Sequence, residues 1–267
     1  MSNTKKALLV VSFGTSYPDT RRKTIDAIEQ DLQAAFPDRS FYHAWTSGML
    51  IRKVAKTENL LIPTVAEAVD AMIRDGITDL LVQPTHVLDG IENDHMKDCV
   101  NAKASSFESV CFGAPLLYDL SDMDQICQIL ADRFSYLSQK EALVLVGHGS
   151  THEANRVYGE LDRRFKDLEH PNIHIGTVEG TPSREDILQV LRTTAPVKVV
   201  LTPLMIVAGD HANNDIGGGD EDSWVRVIEK EGMPAEAVLS GLGEYPEVRQ
   251  MLVEHARKTS FSSCISA

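Results

Sequence analysis

Two apolar runs in this chain end in glycine-bracketed turns, and that repetition restricts the fold more than any other feature. Leu8-Leu9-Val10-Val11-Ser12-Phe13-Gly14-Thr15-Ser16 near the start is matched by Leu143-Val144-Leu145-Val146-Gly147-His148-Gly149-Ser150. Each reads as a buried strand, a sharp turn and the approach to a helix. The tips differ, because Phe13 stands where the second copy has His148. A chain that repeats a scaffold and varies the tip keeps both halves for architecture and gives one of them the chemistry.

The duplication reappears further along. Gln83-Pro84-Thr85-His86-Val87-Leu88-Asp89-Gly90-Ile91-Glu92 aligns with Thr202-Pro203-Leu204-Met205-Ile206-Val207-Ala208-Gly209-Asp210-His211, with prolines and glycines in step. Glu92 thereby matches His211, and Ser47-Gly48 matches Glu179-Gly180. Between these points short apolar runs alternate with helix-period segments. A helix is expected from Pro18-Asp19, with Ile25, Ile28, Leu32 and Ala35 on one face. Thr64 to Glu67 reads as a capping box, Ser121 as the cap of another helix, and Ser183 with Asp186 as a third such start. Strands are expected at 41–45, 80–82, 110–112, 143–146, 173–178, 197–201 and 237–239, and a closing helix at 246–258. Alternation of this kind predicts an α/β fold of two similar domains, each a parallel sheet flanked by helices. The boundary is expected near Leu137–Lys140, giving halves 1–138 and 139–267, with the last helix packing back onto the first half.

Composition narrows the function. Among 267 residues, 39 acidic against 26 basic side chains leave a net charge of −13, which argues against a nucleic-acid or anionic-membrane surface. Cys99, Cys111, Cys127 and Cys264 contain no C-x-x-C pair and read as buried free thiols of a cytoplasmic protein. The apolar stretch after Lys5-Lys6 is too short for a signal peptide and reads as a first strand. Neither G-x-G-x-x-G nor a P-loop is present, so no nucleotide is expected.

Ligands of open α/β sheets bind outside the carboxyl ends of strands, and the unusual residues collect there. His148 has glycine on both sides, which lets the backbone approach a ligand; the alternative is a histidine that packs or caps the next helix. His211, in Gly209-Asp210-His211-Ala212-Asn213-Asn214-Asp215, suits metal binding or proton transfer. Glu179 and Glu92 are carboxylates just beyond strands, able to ligate a divalent ion or accept a proton. Two histidines with one or two carboxylates would suit Co, Fe, Ni or Zn. His95 reads as a surface residue, and His86, His152 and His174 have no evident partner in the sequence. The acidic stretch Gly217 to Asp222 lacks the offsets of a calcium loop.

The runs Ala7–Ser16, Thr46-Ser47-Gly48-Met49, Val146–Gly149, Pro203–Asp215, Asp222-Ser223-Trp224 and Ser240–Glu244 resemble the anaerobic-pathway sirohydrochlorin cobaltochelatases. These class II chelatases are ATP-independent and homomeric, with two similar α/β domains facing across a central cleft. The likeness implies a metal site of His148, His211 and Glu179, with Glu92 near it, although Ile91 here replaces an acid. It implies insertion of Co(II), or in some members Fe(II), into sirohydrochlorin. His148 and His211 are then expected to face each other over the macrocycle, binding metal or taking pyrrole protons, with Glu92 assisting. N–H groups around Ser12, Phe13, Gly14, Thr15 and Ser16 would hold the substrate's carboxylates, as helix N-termini hold anions. Two rivals stand beside this. A histidine phosphatase using His148 would need an arginine where Gly147 stands, and a non-catalytic tetrapyrrole or metal carrier would share the fold.

Overall fold

The computed structural model describes residues 4–259 and, as backbone, residues 264–266. It divides into two units, one taking the chain up to Tyr118 together with everything from Gly243, the other Asp119–Leu242. Among the described residues no helix is long and apolar enough to cross a membrane.

The first unit runs β1 (Lys6–Ser12), α1 (Pro18–Lys23), α2 (Ile25–Ala35), β2 (Ser40–Trp45), α3 (Gly48–Glu58), α4 (Val65–Arg74), β3 (Asp79–Pro84), α5 (Ile91–Asn101) and β4 (Ser109–Phe112). The second runs α6 (Leu120–Arg133), β5 (Glu141–Gly147), α7 (Arg156–Asp167), β6 (Ile173–Thr177), α8 (Arg184–Thr194), β7 (Lys198–Pro203), α9 (Trp224–Lys230) and β8 (Ala235–Ala237). The chain then returns to the first unit as α10 (Pro246–Thr259) and β9 (Cys264–Ser266).

The sheets are ordered β2-β1-β3-β4-β9 and β6-β5-β7-β8, parallel throughout except for β9, which lies antiparallel to β4. Without β9 the orders are the same, and so are the registers. Val11 pairs with Pro84 as Val146 pairs with Pro203. The nitrogens of Thr85 and Leu204 each donate to the carbonyl of their matched valine at 2.8 Å.

Each unit has its own core. In the first, alternate β1 residues Ala7, Leu9 and Val11 pack with Val65, Val69 and Met72 of α4 and Met96 and Val100 of α5. In the second, Ala142, Val144 and Val146 pack with Ile187, Leu188 and Leu191 of α8 and Trp224 and Ile228 of α9. The intervening strand residues, such as Leu8 and Val10, are also buried, as central strands covered on both faces must be.

Several expectations are corrected. The helix from Pro18 is broken at Thr24, whose hydroxyl donates back to the Thr20 carbonyl at 2.6 Å, and Ala35 is only half-buried. Asp119, not Ser121, caps α6, through a reciprocal box with Asp122. That helix lies with the second unit, where Arg164 of α7 holds Asp124, so the division falls at Tyr118 and not near Leu137–Lys140. Cys99 and Cys127 are free, but Cys111 is disulfide-bonded, against the free-thiol expectation. The antiparallel register of β9 sets backbone position 264 opposite it.

Candidate metal centre

His148, Glu179 and His211 each offer a ligand atom, and these atoms lie within 4.8 Å of one another. Three neighbouring strands of the second unit deliver them. His148 follows β5, Glu179 follows β6 two residues on, and His211 lies beyond β7. The order β6-β5-β7 makes the gap between β5 and β7 the point where the chain reverses direction across the sheet, the usual ligand crevice of such sheets.

Local packing explains why these turns take this shape. Glu179 N donates to His148 O at 2.8 Å and Val178 N to Gly147 O at 3.0 Å, continuing the β5–β6 ladder into the turns. Asn155 then ties them together: its Oδ1 accepts from Ser150 N at 2.9 Å and its Nδ2 donates to Thr181 O at 2.8 Å. Tyr158 lies under the His148 turn. Burial pushes its phenol up, against opposing hydrogen bonds from the Gly149 and His148 backbone.

Both imidazoles are oriented through Nδ1. That of His148 is 2.9 Å from Gly149 O, and that of His211 is 2.6 Å from Asp215 Oδ2. A carbonyl or carboxylate only accepts, so each Nδ1 carries a hydrogen, and in the neutral imidazole that tautomer puts the lone pair on Nε2. The Glu179 carboxylate lies 3.9 Å from His148 Nδ1. His211 opens a π-helical turn, Ala212–Ile216, in which Gly217 N reaches back to Ala212 O at 3.0 Å. The three side chains are partly exposed, at 48%, 61% and 35%. Two imidazole nitrogens and one carboxylate oxygen open to solvent can take up and release a borderline divalent ion.

The two imidazole centroids are 4.5 Å apart, edge to face. A flat macrocycle between them would need about two van der Waals spacings, ~7 Å. The two rings as they stand therefore leave no room for a flat ligand between them.

The other expected site residues belong to the first unit. Phe13 is 41% exposed and Ser16 half-buried, but Ser12 and Thr15 are buried. Ser12 Oγ accepts from the Thr85 hydroxyl at 2.9 Å, and Thr15 Oγ1 accepts from Tyr17 N at 3.3 Å. Gly14 packs against the Trp45 ring. Glu92, on the first turn of α5, is half-buried with Oε2 inaccessible and without a protein partner. His95 is exposed, as expected. Asp215 and Asn155 were not singled out by sequence reasoning. Asp215 had a signal, four residues after His211 in the same polar turn, whereas Asn155 had none.

Two like-ordered parallel sheets, one carrying a His–His–Glu triad at its reversal point, define a chelatase-like α/β protein. A family model described as cobalt chelatase (CbiK) matches residues 6–261. The chain belongs to the cobalt chelatase (CbiK) family. It is 41% identical over 251 residues to a sirohydrochlorin cobaltochelatase of Salmonella typhimurium, covering 94% of this chain and 95% of that protein. It is 30% identical over 259 residues to the sirohydrochlorin cobaltochelatase CbiKC of Nitratidesulfovibrio vulgaris, covering 94% and 89%. SirB from Bacillus subtilis shares the fold with a TM-score of 0.65 at 14% identity, over 97% of this chain and 96% of SirB.

Proposed function

We propose that this protein inserts cobalt(II) into sirohydrochlorin without ATP, the ion arriving at His148, Glu179 and His211. The observation that carries the residue assignment is the convergence of those ligand atoms within 4.8 Å. The metal is a substrate, and insertion exchanges it for two pyrrole protons. The triad holds the ion by two imidazole nitrogens and one carboxylate oxygen and strips part of its water. With the two rings too close to admit the macrocycle between them, both imidazoles are assigned to one face of it, and the ion enters from that face. Glu92 is assigned a pyrrole proton. In the 12–16 turn, Phe13 is exposed and Ser16 half-buried, and backbone N–H groups there are assigned to the substrate's carboxylates, which suits a protein of net charge −13. Iron(II) insertion for siroheme, a homo-oligomeric state and a cytoplasmic setting belong to the same reading.

The test is anaerobic incubation of the purified protein with sirohydrochlorin and cobalt(II), followed by absorbance and repeated with iron(II) and nickel(II). His148→Ala and His211→Ala are expected to lower the rate at least about 100-fold while remaining folded. Wild-type rates in either variant would remove that histidine from the reaction, and a protein that binds sirohydrochlorin without speeding metal uptake would be a carrier.

A further inference from the structure

The first unit buries a polar cluster at Glu92 that its fold does not require. His86, between β3 and α5, is 8% exposed, and neither Nδ1 nor Nε2 meets a partner in full hydrogen-bond geometry, although the Asn93 side chain acts on the ring. Glu92 Oε2 and Asn93 Oδ1 are likewise buried and unpartnered. Asn93 is fully buried and donates its amide to Asp89, which also takes Lys97 Nζ at 2.7 Å. The charges of Glu92 and Asp89 both act on the His86 ring.

The duplicated scaffold shows what these positions need for folding. His86 corresponds to Met205, and Asn93 to Ala212, and both counterparts pack into the apolar core of the second unit. Apolar residues therefore satisfy the architecture. Each buried polar atom left without a partner costs about 1–3 kcal/mol, so a reason is needed for histidine and asparagine here. His86 and Asn93 thus neighbour Glu92, the carboxylate assigned to proton removal.

We propose that His86 is a positioning and relay residue acting through Glu92: it receives, directly or through a water, the proton that Glu92 takes from a pyrrole nitrogen, and passes it outward. The steps balance. A pyrrole N–H transfers its proton to the Glu92 carboxylate, and the resulting acid gives it to one nitrogen of His86. Both ring nitrogens are closed to solvent, so the other nitrogen gives up a proton through a bridging water, leaving Glu92 ionised for the next. Burial holds the His86 pKa below the ordinary imidazole value, opposed by Asn93, Glu92 and Asp89. The ring is thus neutral near pH 7, with one nitrogen able to accept and the other to donate.

The inference rests on Glu92 as proton acceptor, and the test separates the two. His86→Met, which copies the second unit's own residue, should fold and should keep wild-type cobalt(II) affinity and KM for sirohydrochlorin. Its kcat for insertion should fall about 10- to 100-fold. His86→Ala should be slow in the same way and regain rate as imidazole is added, which a purely structural role would not produce. Wild-type kcat in His86→Met overturns the relay, as does a rate loss with altered KM or without rescue by imidazole. Glu92→Gln, run alongside, should be at least as slow; if it inserts at the wild-type rate, the assignment of Glu92 fails and the relay with it. A slow Glu92→Gln beside a normal His86→Met overturns the relay alone.

Discussion

At Gly149 the backbone adopts φ +85°, and a Cβ placed there would stand 2.4 Å from Gly180 N and 2.9 Å from the Glu179 carbonyl carbon. The neighbours are backbone, so no side-chain rotation relieves the overlap. The turn carrying His148 and the turn carrying Glu179 must separate if Gly149 gains a side chain, which moves two of the three ligands apart. Gly149→Ala is therefore expected to fold with a lower Tm and to bind cobalt(II) at least about tenfold more weakly, measured by calorimetric titration. Gly159 is the control, since nothing lies within 4 Å of its Cβ position on α7. Gly159→Ala should leave cobalt binding unchanged and add up to about 1 kcal/mol of stability. Equal cobalt affinity in both variants would show that the Gly149–Gly180 approach does not set the triad.

Among the elements, the π-helical turn after His211 differs most from what local propensity supplies. A π turn is used in single pieces, often at functional sites, because its wider ring is poorer in hydrogen-bond geometry than an α-helix. Here it holds Asp215 against His211, and Asn213 Nδ2 secures its start by donating to Ala208 O and Gly209 O at 3.0 and 2.8 Å. Asp215→Asn keeps the shape but removes the charge that fixes the imidazole. Cobalt affinity should fall by about 10-fold or more with little change in Tm, and unaltered affinity would assign Asp215 to the turn alone. Elements with strong local chemistry were legible in the sequence. Thr64 with Glu67 and Ser183 with Asp186 form the capping boxes read from their spacing. The matched prolines and glycines likewise located the turns that carry the triad. What escaped had thin signals: α3 buries only Leu50 and Val54, α9 only Trp224 and Ile228, and β9 spans three residues. The π turn left no trace, because its hydrogen bonds come from backbone that any sequence supplies. The approach of His148 to His211 arises from sheet order, which the apolar pattern does not encode.

Away from the triad the first unit buries His86 and His255, and the second buries His174. Burial lowers the pKa of His86 and of His174, the latter to about 4, helped by the charge of Lys166, whose Nζ lies 3.3 Å from the His174 Nδ1. Their folded-state pKa values therefore lie below the unfolded value of 6.5, and the unfolded chain binds more protons as pH falls. Their contribution is fully present above pH 6.5 and is lost on acidification through the folded pKa values. For His174 the gap between 6.5 and about 4 corresponds to ~3 kcal/mol. His43 opposes this, because Glu29 at 3.1 Å raises its pKa, so that its contribution is complete below 6.5 and fades on alkalinisation. The wild-type protein should thus lose stability between pH 6.5 and 4, before most carboxylates titrate. His174→Gln should flatten that slope by ~3 kcal/mol, read from urea midpoints across the range, and His86→Met should flatten it independently. If both variants lose stability in parallel with the wild type, the acid sensitivity comes from carboxylates and the buried imidazoles contribute nothing to it.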